Sequence, residues 1–532
     1  MKEISTLNAL LLLLLISLVV LFAGLGRTEL RGSTEPREAG VAAEMLQEGD
    51  YLTPKLNGEA FLEKPPLSYW LQAASIRAFG YTNFAPRLPS VIASIVSIFS
   101  LFFFARLNRS TTTGVVAGLL LLTMASFWMN SRQAGQDSLL TLGITLSLLS
   151  FYLARESKHS RLYWLGYGIG LSVATLTKGV IGLAIPGIAI FFYLLIETFF
   201  FDKRFVYRNW LLPAVLAMVA LIPIVVWLYL LYLQHGVEAV REVVWTNSVG
   251  RFAGDYTRGS HSEPFYYYLK KLPETFQPWT LPLFVALWQM GKSWRGNRQF
   301  VFFACWLIVP FILLSLSAGK RPVYLLSLYP AAAMLITAYV CEGGYTANDR
   351  TGHRLGLIQA ICFTGIAIAI VVRIGKIHLP VVGTLLAAIL VAALIYVWRS
   401  ALHDRRGIFF GAAVATMTAA YVGYGGFILP HDAVKESARQ IFEHLRADAN
   451  RDTVILFNPT ERISGAARFY AQKPVQSVDS EAKLEAAWDK QSAALVLISA
   501  TDAVKISNFV VREKFHYGKE LYLIVARASP GS

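Results

Sequence analysis

Carboxylates at the edges of apolar segments are the first sign of chemistry in this sequence. Glu35 and Glu63 follow the first apolar run, and Asp137 stands at the start of a later one. Charged groups at membrane depth are costly and are usually functional. Because a carboxylate can position or deprotonate an acceptor group, we predict catalytic roles for Glu35 and Asp137. For Asp137, a helix N-cap is the alternative interpretation.

Cations accompany these acids in the same parts of the chain, namely Arg37, Lys64, Lys178, Lys320 and Arg321. A phosphate is a natural partner for such groups. A lipid-phosphate leaving group would need cations to hold its charge. Acids and cations together therefore predict group transfer from a lipid phosphate at an outward-facing site. Snorkelling of the basic side chains to lipid headgroups is the competing interpretation.

His261 is the one histidine in the aromatic-rich stretch 245–273. A lone histidine is more often a polar loop residue than a metal ligand, so the residue types leave both roles open. Cys305, Cys341 and Cys362 do not fit a CxxC metal spacing. Spacing alone therefore supplies no complete set of metal ligands.

A membrane scaffold must position these residues. Of the 532 residues, 55% are hydrophobic, and the mean hydropathy of +0.48 is unusual for a soluble protein. The apolar runs are long enough to cross about 30 Å of hydrocarbon as helices. We therefore predict an α-helical polytopic membrane protein whose first run is a retained helix and not a cleaved signal peptide. Its thirteen predicted spans have the approximate limits 8–26, 88–106, 112–130, 137–154, 161–177, 179–198, 210–233, 278–291, 300–318, 322–340, 356–375, 380–397 and 408–428.

Basic residues concentrate in every second loop between these spans. Short basic loops mark the cytoplasmic side, so the alternation predicts a cytoplasmic N-terminus. The loops 27–87 and 234–277 and the tail from residue 429 then lie outside. The net charge of +15 therefore reflects the orientation of the protein in the membrane and not a surface that binds nucleic acid.

The outer segments have structure of their own. In the loop 27–87 we predict two interfacial helices, one capped by Thr34 and one starting at Leu67. The tail alternates β-rich runs at 453–458, 494–499 and 521–527 with polar helical stretches, which is typical of a small α/β domain. We therefore predict a membrane domain 1–428, which includes both outer loops, and an α/β domain 429–532. A lid, a docking module and a structural cap are open roles for that domain.

Several motifs resemble one known family in order along roughly residues 1–340. They read TEPREAGVAAEML, GDYLTPKLNGE, FLEKPPLSYW, then Asp137, LTKG and KRPVYLLSLYP. This pattern is similar to that of bacterial C-type glycosyltransferases of the protein-mannosyltransferase superfamily, in particular the aminoarabinose transferases that modify lipid A. Thirteen spans and an outer α/β tail also agree with that family.

The resemblance implies a sugar donor linked to undecaprenyl phosphate and an inverting transfer at the periplasmic face of the bacterial inner membrane. The acceptor would be lipid A or another envelope glycolipid. The family's lipid-phosphate residues match Arg37, Lys64 and Tyr324, while Lys178, Lys320 and Arg321 fall on its basic loops. A zinc ion held by Glu63 and His261 is implied by the resemblance alone.

One departure from the family pattern bears on the chemistry. Thr34 stands where the family usually has an aspartate, and Thr is a poor general base. Either Glu35 or Asp137 takes that role, or the acceptor is a phosphate that is already ionised. Protein O-mannosyl transfer, lipid-linked sugar transport and an inactive lipid-binding relative are the alternative functions. A transporter would expect ionisable groups along a path through the membrane, whereas these charges collect at the outer side.

Overall fold

The computed structural model describes residues 4–157, 159–250, 263–341, 350–377, 380–403, 406–434, 437–447, 453–490, 495–518 and 520–528. His261 lies outside the described residues. The helices that this part of the chain forms are α1 Thr6–Phe22, α2 Thr34–Glu48, α3 Leu67–Phe79, α4 Leu88–Asn108, α5 Thr111–Thr123, α6 Ala125–Ser131, α7 Asp137–Glu156, α8 Ser160–Lys178, α9 Val180–Ile196, α10 Tyr207–Ala220, α11 Ile222–Arg241, α12 Tyr267–Thr275, α13 Thr280–Gly291, α14 Arg298–Leu316, α15 Tyr329–Cys341, α16 Arg350–Gly375, α17 Pro380–Leu402, α18 Arg406–Gly423, α19 Leu429–Ala433, α20 Arg439–Ala447, α21 Glu461–Ala466, α22 Glu481–Lys490 and α23 Ala500–Ala503.

Every predicted span overlaps helix in this structure. Within the described ranges, nine helical segments are long and apolar enough to cross a membrane, or ten if the bent pair α5 and α6 counts as one span. The other three predicted spans correspond to the shorter helices α1 and α13 and to the less apolar α8. The predicted class, a polytopic helical membrane protein, is confirmed, while the number thirteen stays a prediction.

The chain divides into two compact units, and the first contains residues 1–23, 63–65 and 90–426. Its helices α7 and α8 follow each other after a short turn and pack closely. A Cβ at Gly143 of α7 would overlap the backbone of Ala174 in α8, and one at Gly170 would overlap Ser147. Small residues let membrane helices approach in this way. Because the two helices are antiparallel neighbours, the first residue of α7 lies beside the last residue of α8.

The second unit contains residues 24–62, 66–89 and 427–532. A five-stranded sheet forms within it, in the order β4-β3-β5-β7-β6. Strands β3, β4 and β5 are parallel neighbours, whereas β7 pairs antiparallel with β5 and β6. The strands of the unit are β1 Lys55–Leu56, β2 Glu59–Ala60, β3 Val454–Phe457, β4 Val475–Val478, β5 Val496–Ser499, β6 Phe509–Tyr517 and β7 Glu520–Arg527.

One apolar core joins the first loop to the tail inside this second unit. Ala39 and Ala43 of α2 lie in the same buried cluster as Leu456, Phe469 and Ile524. The sequence analysis grouped the loop 27–87 with the membrane domain, whereas its contacts group most of it with the C-terminal residues. The predicted domain boundary at residue 429 stays a prediction.

Local predictions in this unit have mixed outcomes. The three predicted strands appear as β3, β5 and β7, and the small α/β domain is confirmed. Strands β4 and β6 were not predicted. The N-cap prediction for Thr34 is wrong, because α2 begins at Thr34 and Ser33 occupies the cap position without a side-chain cap bond.

Candidate active site

Asp137 and Lys178 form an ion pair at the junction of α7 and α8. The ammonium of Lys178 donates to Oδ1 of Asp137. Asp137 is the first residue of α7 and Lys178 the last of α8, so each charge lies at the helix end whose dipole favours it. Gly179 ends α8 with a φ of +59° and donates its N–H to Thr175 O at 2.8 Å. This pairing requires the antiparallel α7–α8 contact and could not be read from spacing.

Tyr324 completes a three-residue cluster with this pair. Its ring centroid lies 4.6 Å from Nζ of Lys178, which is the geometry of a cation–π contact. Tyr324 belongs to the 3₁₀ segment Pro322–Leu328, and its N–H donates to Arg321 O at 3.0 Å. We call Asp137, Lys178 and Tyr324 the acid–base cluster. The side chains of Asp137 and Lys178 are 23% and 11% exposed, so solvent still reaches the pair.

Lys320 is placed differently from Lys178. Its side chain is buried, and Nζ donates to Glu263 O at 2.7 Å and to Ser317 O. Burial lowers the pKa of Lys320, although the Glu263 carboxylate acts in the opposite direction. The carbonyl of the neighbouring Arg321 accepts a hydrogen bond from the Tyr268 hydroxyl at 3.2 Å. These contacts hold the loop before the 3₁₀ segment, and donor binding by Lys320 and Arg321 stays a prediction.

Glu63 and Lys64 are both half-buried. The ammonium of Lys64 donates to the Glu63 carbonyl at 2.8 Å. The predicted metal partner of Glu63, His261, lies outside the described residues. Among the residues that are described, no group of three or more His, Cys, Asp or Glu side chains is arranged to hold a metal ion. The zinc site therefore stays a prediction, and no chemical step is derived from it.

Glu35 is engaged by an arginine that the sequence analysis did not single out. Nε of Arg87 donates to Glu35 Oε1 at 2.7 Å, and Nη2 of Arg87 donates to Oε2 at 2.8 Å. Arg31 N–H donates to the same carboxylate at 3.0 Å. Both side chains of the pair are 2–3% exposed, and Arg87 also donates to the backbone carbonyls of Leu25 and Glu29. Glu35 thus has the contacts of a buried structural ion pair, and its predicted catalytic role stays untested.

Arg37 contacts acids from two parts of the second unit. Its guanidinium donates to Glu38 at 3.2 Å and to Glu461 at 3.0 Å. It also stacks on Phe61, 5.4 Å from the ring centroid. Glu461 is the first residue of α21, so the C-terminal segment supplies a partner to a predicted lipid-phosphate residue.

A second ion pair inside this unit joins Arg468 to α2. Nη2 of Arg468 donates to Glu44 at 2.9 Å and to Glu48 at 3.1 Å. Burial raises the pKa of Glu44, although Arg468 opposes that change. The Glu44 carboxylate also accepts the N–H groups of Asn57 and Gly58, at 2.7 and 2.5 Å. Sequence separations above 420 residues hid Glu461 and Arg468 from pattern analysis.

Comparisons with known proteins show which families this chain is similar to. Residues 63–227 match the family model described as dolichyl-phosphate-mannose-protein mannosyltransferase. The undecaprenyl phosphate-alpha-4-amino-4-deoxy-L-arabinose arabinosyl transferase 2 of Proteus mirabilis is 31% identical over 339 residues, which are 63% of this chain and 60% of that protein. The chain therefore spans about three fifths of the length of this curated relative.

Solved structures share the fold over nearly the whole chain. ArnT from Cupriavidus metallidurans, determined bound to undecaprenyl phosphate, superposes with a TM-score of 0.77 at 20% identity and covers 98% of this chain and 99% of its own. The archaeal oligosaccharyltransferase AglB from Archaeoglobus fulgidus gives a TM-score of 0.53 at 12% identity, with 94% and 70% coverage. The predicted resemblance is confirmed: this chain is a multi-pass membrane protein with the C-type glycosyltransferase fold, and its sequence is similar to the mannosyltransferase family model and to the undecaprenyl-phosphate aminoarabinose transferases.

Proposed function

We propose that this protein is an integral-membrane glycosyltransferase that moves a sugar from an undecaprenyl-phosphate-linked donor to lipid A or another envelope glycolipid. The acid–base cluster is the single observation that carries this proposal. It brings one ammonium, that of Lys178, into contact with a carboxylate and with the ring of a phenol at one end of the α7–α8 pair. The names of the similar proteins supply the substrate class, a polyprenyl-phosphate sugar.

The cluster suits the proposed chemistry because each member has a separate task. The bond between the anomeric carbon and the lipid-phosphate oxygen breaks, and the phosphate leaves with the electron pair. Lys178 and the Tyr324 hydroxyl stabilise that developing charge. Asp137 orients the acceptor oxygen, which forms the new bond from the opposite face of the sugar and inverts the configuration. An acceptor phosphate is already ionised, so the chemistry tolerates Thr34 where a second acid would otherwise serve as base.

A transporter is less consistent with the placement of charge along α7. Residues 138–154, between Asp137 and Arg155, carry no charged side chain. Ionisable groups lining a path through the membrane would mark a transporter. The described charges of α7 instead lie at its two ends.

The test combines purified full-length protein with undecaprenyl-phosphate aminoarabinose and one of three acceptors: lipid A, a different envelope glycolipid or a Ser/Thr-rich protein. Mass spectrometry of the products detects transfer, and Asp137→Asn serves as the inactivated control. We expect a product with lipid A or the glycolipid. Product only with the protein acceptor would favour protein glycosylation, and movement of donor across proteoliposomes without any product would favour transport.

The membrane orientation belongs to the same proposal. Basic short loops favour a cytoplasmic N-terminus and a periplasmic C-terminal segment. Alkaline phosphatase fused after residue 532 is active only in the periplasm, so we expect activity from that fusion. Fluorescence of a C-terminal green fluorescent protein, with an inactive phosphatase fusion, would reverse the assignment.

We also propose a divalent metal, on the resemblance alone, with Glu63 and His261 as ligands. When bound, such an ion would supply positive charge near the donor phosphate. Elemental analysis of purified wild type and His261→Ala measures this directly. We expect the zinc content to fall in the variant, and equal zinc in both proteins would remove the proposal without touching the rest of the function.

A further inference from the structure

A polar cleft opens at the end of the helices opposite the acid–base cluster. Its volume is about 510 Å³. Tyr152 of α7 lines it, and fifteen residues of helix separate Tyr152 from Asp137, which is about 22 Å at 1.5 Å per residue. The cleft is therefore distinct from the proposed active site. Its polar lining comes from the end of α4 and the start of α14: Asn108, Arg109, Arg295, Asn297, Arg298 and Gln299.

The charge of this lining is one-sided. Three arginines line the cleft, and the described lining residues include no acid. Arg298 is held in place by Glu197 at 2.9 Å and Asp202 at 2.7 Å. Glu197 is buried and is shared with Arg155 at 2.6 Å, so its charge is balanced inside the protein. Arg109 and Arg295 are exposed and add two further positive charges at the mouth of the cleft.

Amide side chains give the cleft hydrogen-bonding capacity besides charge. Asn108, Asn297 and Gln299 stand among the arginines. Guanidinium groups bind phosphate oxygens through parallel hydrogen bonds, and amides supply neutral donors beside them. The lining therefore fits a phosphate group better than a neutral or cationic ligand.

Aromatic rings at the rim, one of them exposed and two half-buried, indicate that the phosphate belongs to a lipid. Arg295 stacks on Trp294, 5.4 Å from the ring centroid, and Trp294 packs against Phe200 at 5.2 Å. Phe200 is 50% exposed. On the other side Arg298 lies over Phe201 at 5.2 Å. Aromatic side chains beside basic residues mark the membrane–water interface, where a headgroup can enter the cleft while its acyl chains stay against the rings.

We infer that this cleft is a binding site for the phosphate headgroup of an anionic phospholipid, separate from the site for the sugar donor. It depends neither on the transferase activity nor on Asp137. Basic pockets between transmembrane helices are a known form of headgroup site. Arg109 and Arg295 would contact the phosphate, and Arg298 would do so while remaining anchored to its two acids.

Native mass spectrometry of the detergent-purified full-length protein tests the inference. The protein is titrated with phosphatidylglycerol, with phosphatidylcholine of the same acyl chains, and with inorganic phosphate as a competitor. We expect phosphatidylglycerol to bind more tightly than phosphatidylcholine. Inorganic phosphate that displaces phosphatidylglycerol at equal concentration would overturn the lipid assignment and make free phosphate the ligand.

Variants locate the binding. Each basic side chain near a headgroup contributes about a fivefold change in affinity, so Arg109→Gln with Arg295→Gln should weaken phosphatidylglycerol binding about 25-fold. Arg208→Gln is the matched control, because Arg208 is exposed in α10 and does not line the cleft. Unchanged affinity in the double variant, or an equal loss in the control, would overturn the site.

A second double variant distinguishes the loss of charge from misfolding. Arg109→Lys with Arg295→Lys retains both charges and should keep most of the affinity. Lysines that bind as weakly as glutamines would contradict the charge argument. Melting temperatures of all variants should match wild type, since both arginines are exposed.

Discussion

Two carboxylate–cation pairs of this protein differ in burial, and we infer that they differ in role. In the second unit, Glu35 and Arg87 are 2–3% exposed and bond through both carboxylate oxygens. In the first unit, the side chains of Asp137 and Lys178 are 23% and 11% exposed. The buried pair has its hydrogen-bonding capacity met by the protein, including backbone carbonyls. A substrate that displaced it would disrupt the fold around it.

The Asp137–Lys178 pair is organised for exchange of partners. An ammonium has three donors and a carboxylate accepts at two oxygens, so a single contact between them leaves capacity for a phosphate and an acceptor group. Partial exposure admits those groups. The sequence alone predicts catalytic roles for both Glu35 and Asp137. Their surroundings differ, and the greater exposure of Asp137 favours it over Glu35 as the residue that contacts substrate.

The largest expected effect comes from Asp137→Asn. The carboxamide keeps the shape but removes the charge that orients the acceptor, so the transfer rate should fall about a thousandfold. Product formation by mass spectrometry measures the rate, and the melting temperature should stay near wild type. Asp479→Asn is the control, since Asp479 pairs with Lys483 on the surface and both are more than 60% exposed. Full activity of Asp137→Asn would remove Asp137 from the site.

Arg87→Gln should give the next largest effect, on folding. Removing one partner of a buried ion pair leaves an uncompensated charge, and the free energy of unfolding should fall by about 3 kcal/mol. Denaturant unfolding in detergent measures it. The double change Glu35→Gln with Arg87→Gln should recover part of the loss, because no buried charge then remains. If Arg87→Gln were stable but inactive, the pair would belong to catalysis and the comparison would be wrong.

Lys178→Gln should lower the transfer rate about thirtyfold, in line with the loss of one charge-assisted hydrogen bond. Lys178→Arg should retain part of the rate, because the charge remains. The expected change lies in the rate and not in the melting temperature. Loss of folded protein in Lys178→Gln, with normal turnover in the remainder, would mean that both ion pairs are structural.

The smallest effect concerns the exposed contact between Arg37 and Glu461. Glu461 is 54% exposed in this pair, and such surface pairs contribute at most about 1 kcal/mol. Glu461→Gln should therefore leave the melting temperature almost unchanged. Undecaprenyl-phosphate binding should become slightly tighter if Arg37 also binds the lipid phosphate, because one competing carboxylate is gone. Weaker binding in this variant would instead make Glu461 a positioning residue for Arg37.

The apolar runs made the helical framework predictable, because length and hydropathy alone decide whether a segment can cross a membrane. Strands β3, β5 and β7 were predictable for a similar reason, as short apolar runs. Strand β6 was missed because charged residues interrupt its sequence, FVVREKFHY, and five of its nine residues are exposed. Strand β4 has only four residues, with two exposed in its centre.

The candidate site was predictable in its residue types and not in its partners. Lys178 was among the predicted site cations, and Arg87 is a similar basic residue immediately before the apolar helix α4. Nothing local, however, says that Arg87 faces Glu35 or that Lys178 faces Asp137. Those pairings arise from packing between segments separated by about 40 to 50 residues. The contacts of Arg468 join residues that are 420 and 424 positions apart.

The contact between α2 and α21 has a consequence for how the protein is made. A Cβ on Gly40 would overlap the backbone of Gly465, and one on Gly465 would overlap Pro36 and Arg37. Glycine at both positions therefore lets the two backbones touch. Part of the surface against which residues 34–48 pack is synthesised only after the ribosome has passed residue 465. The segment that carries Glu35 and Arg37 can therefore complete its packing only after the intervening helices have been inserted into the membrane.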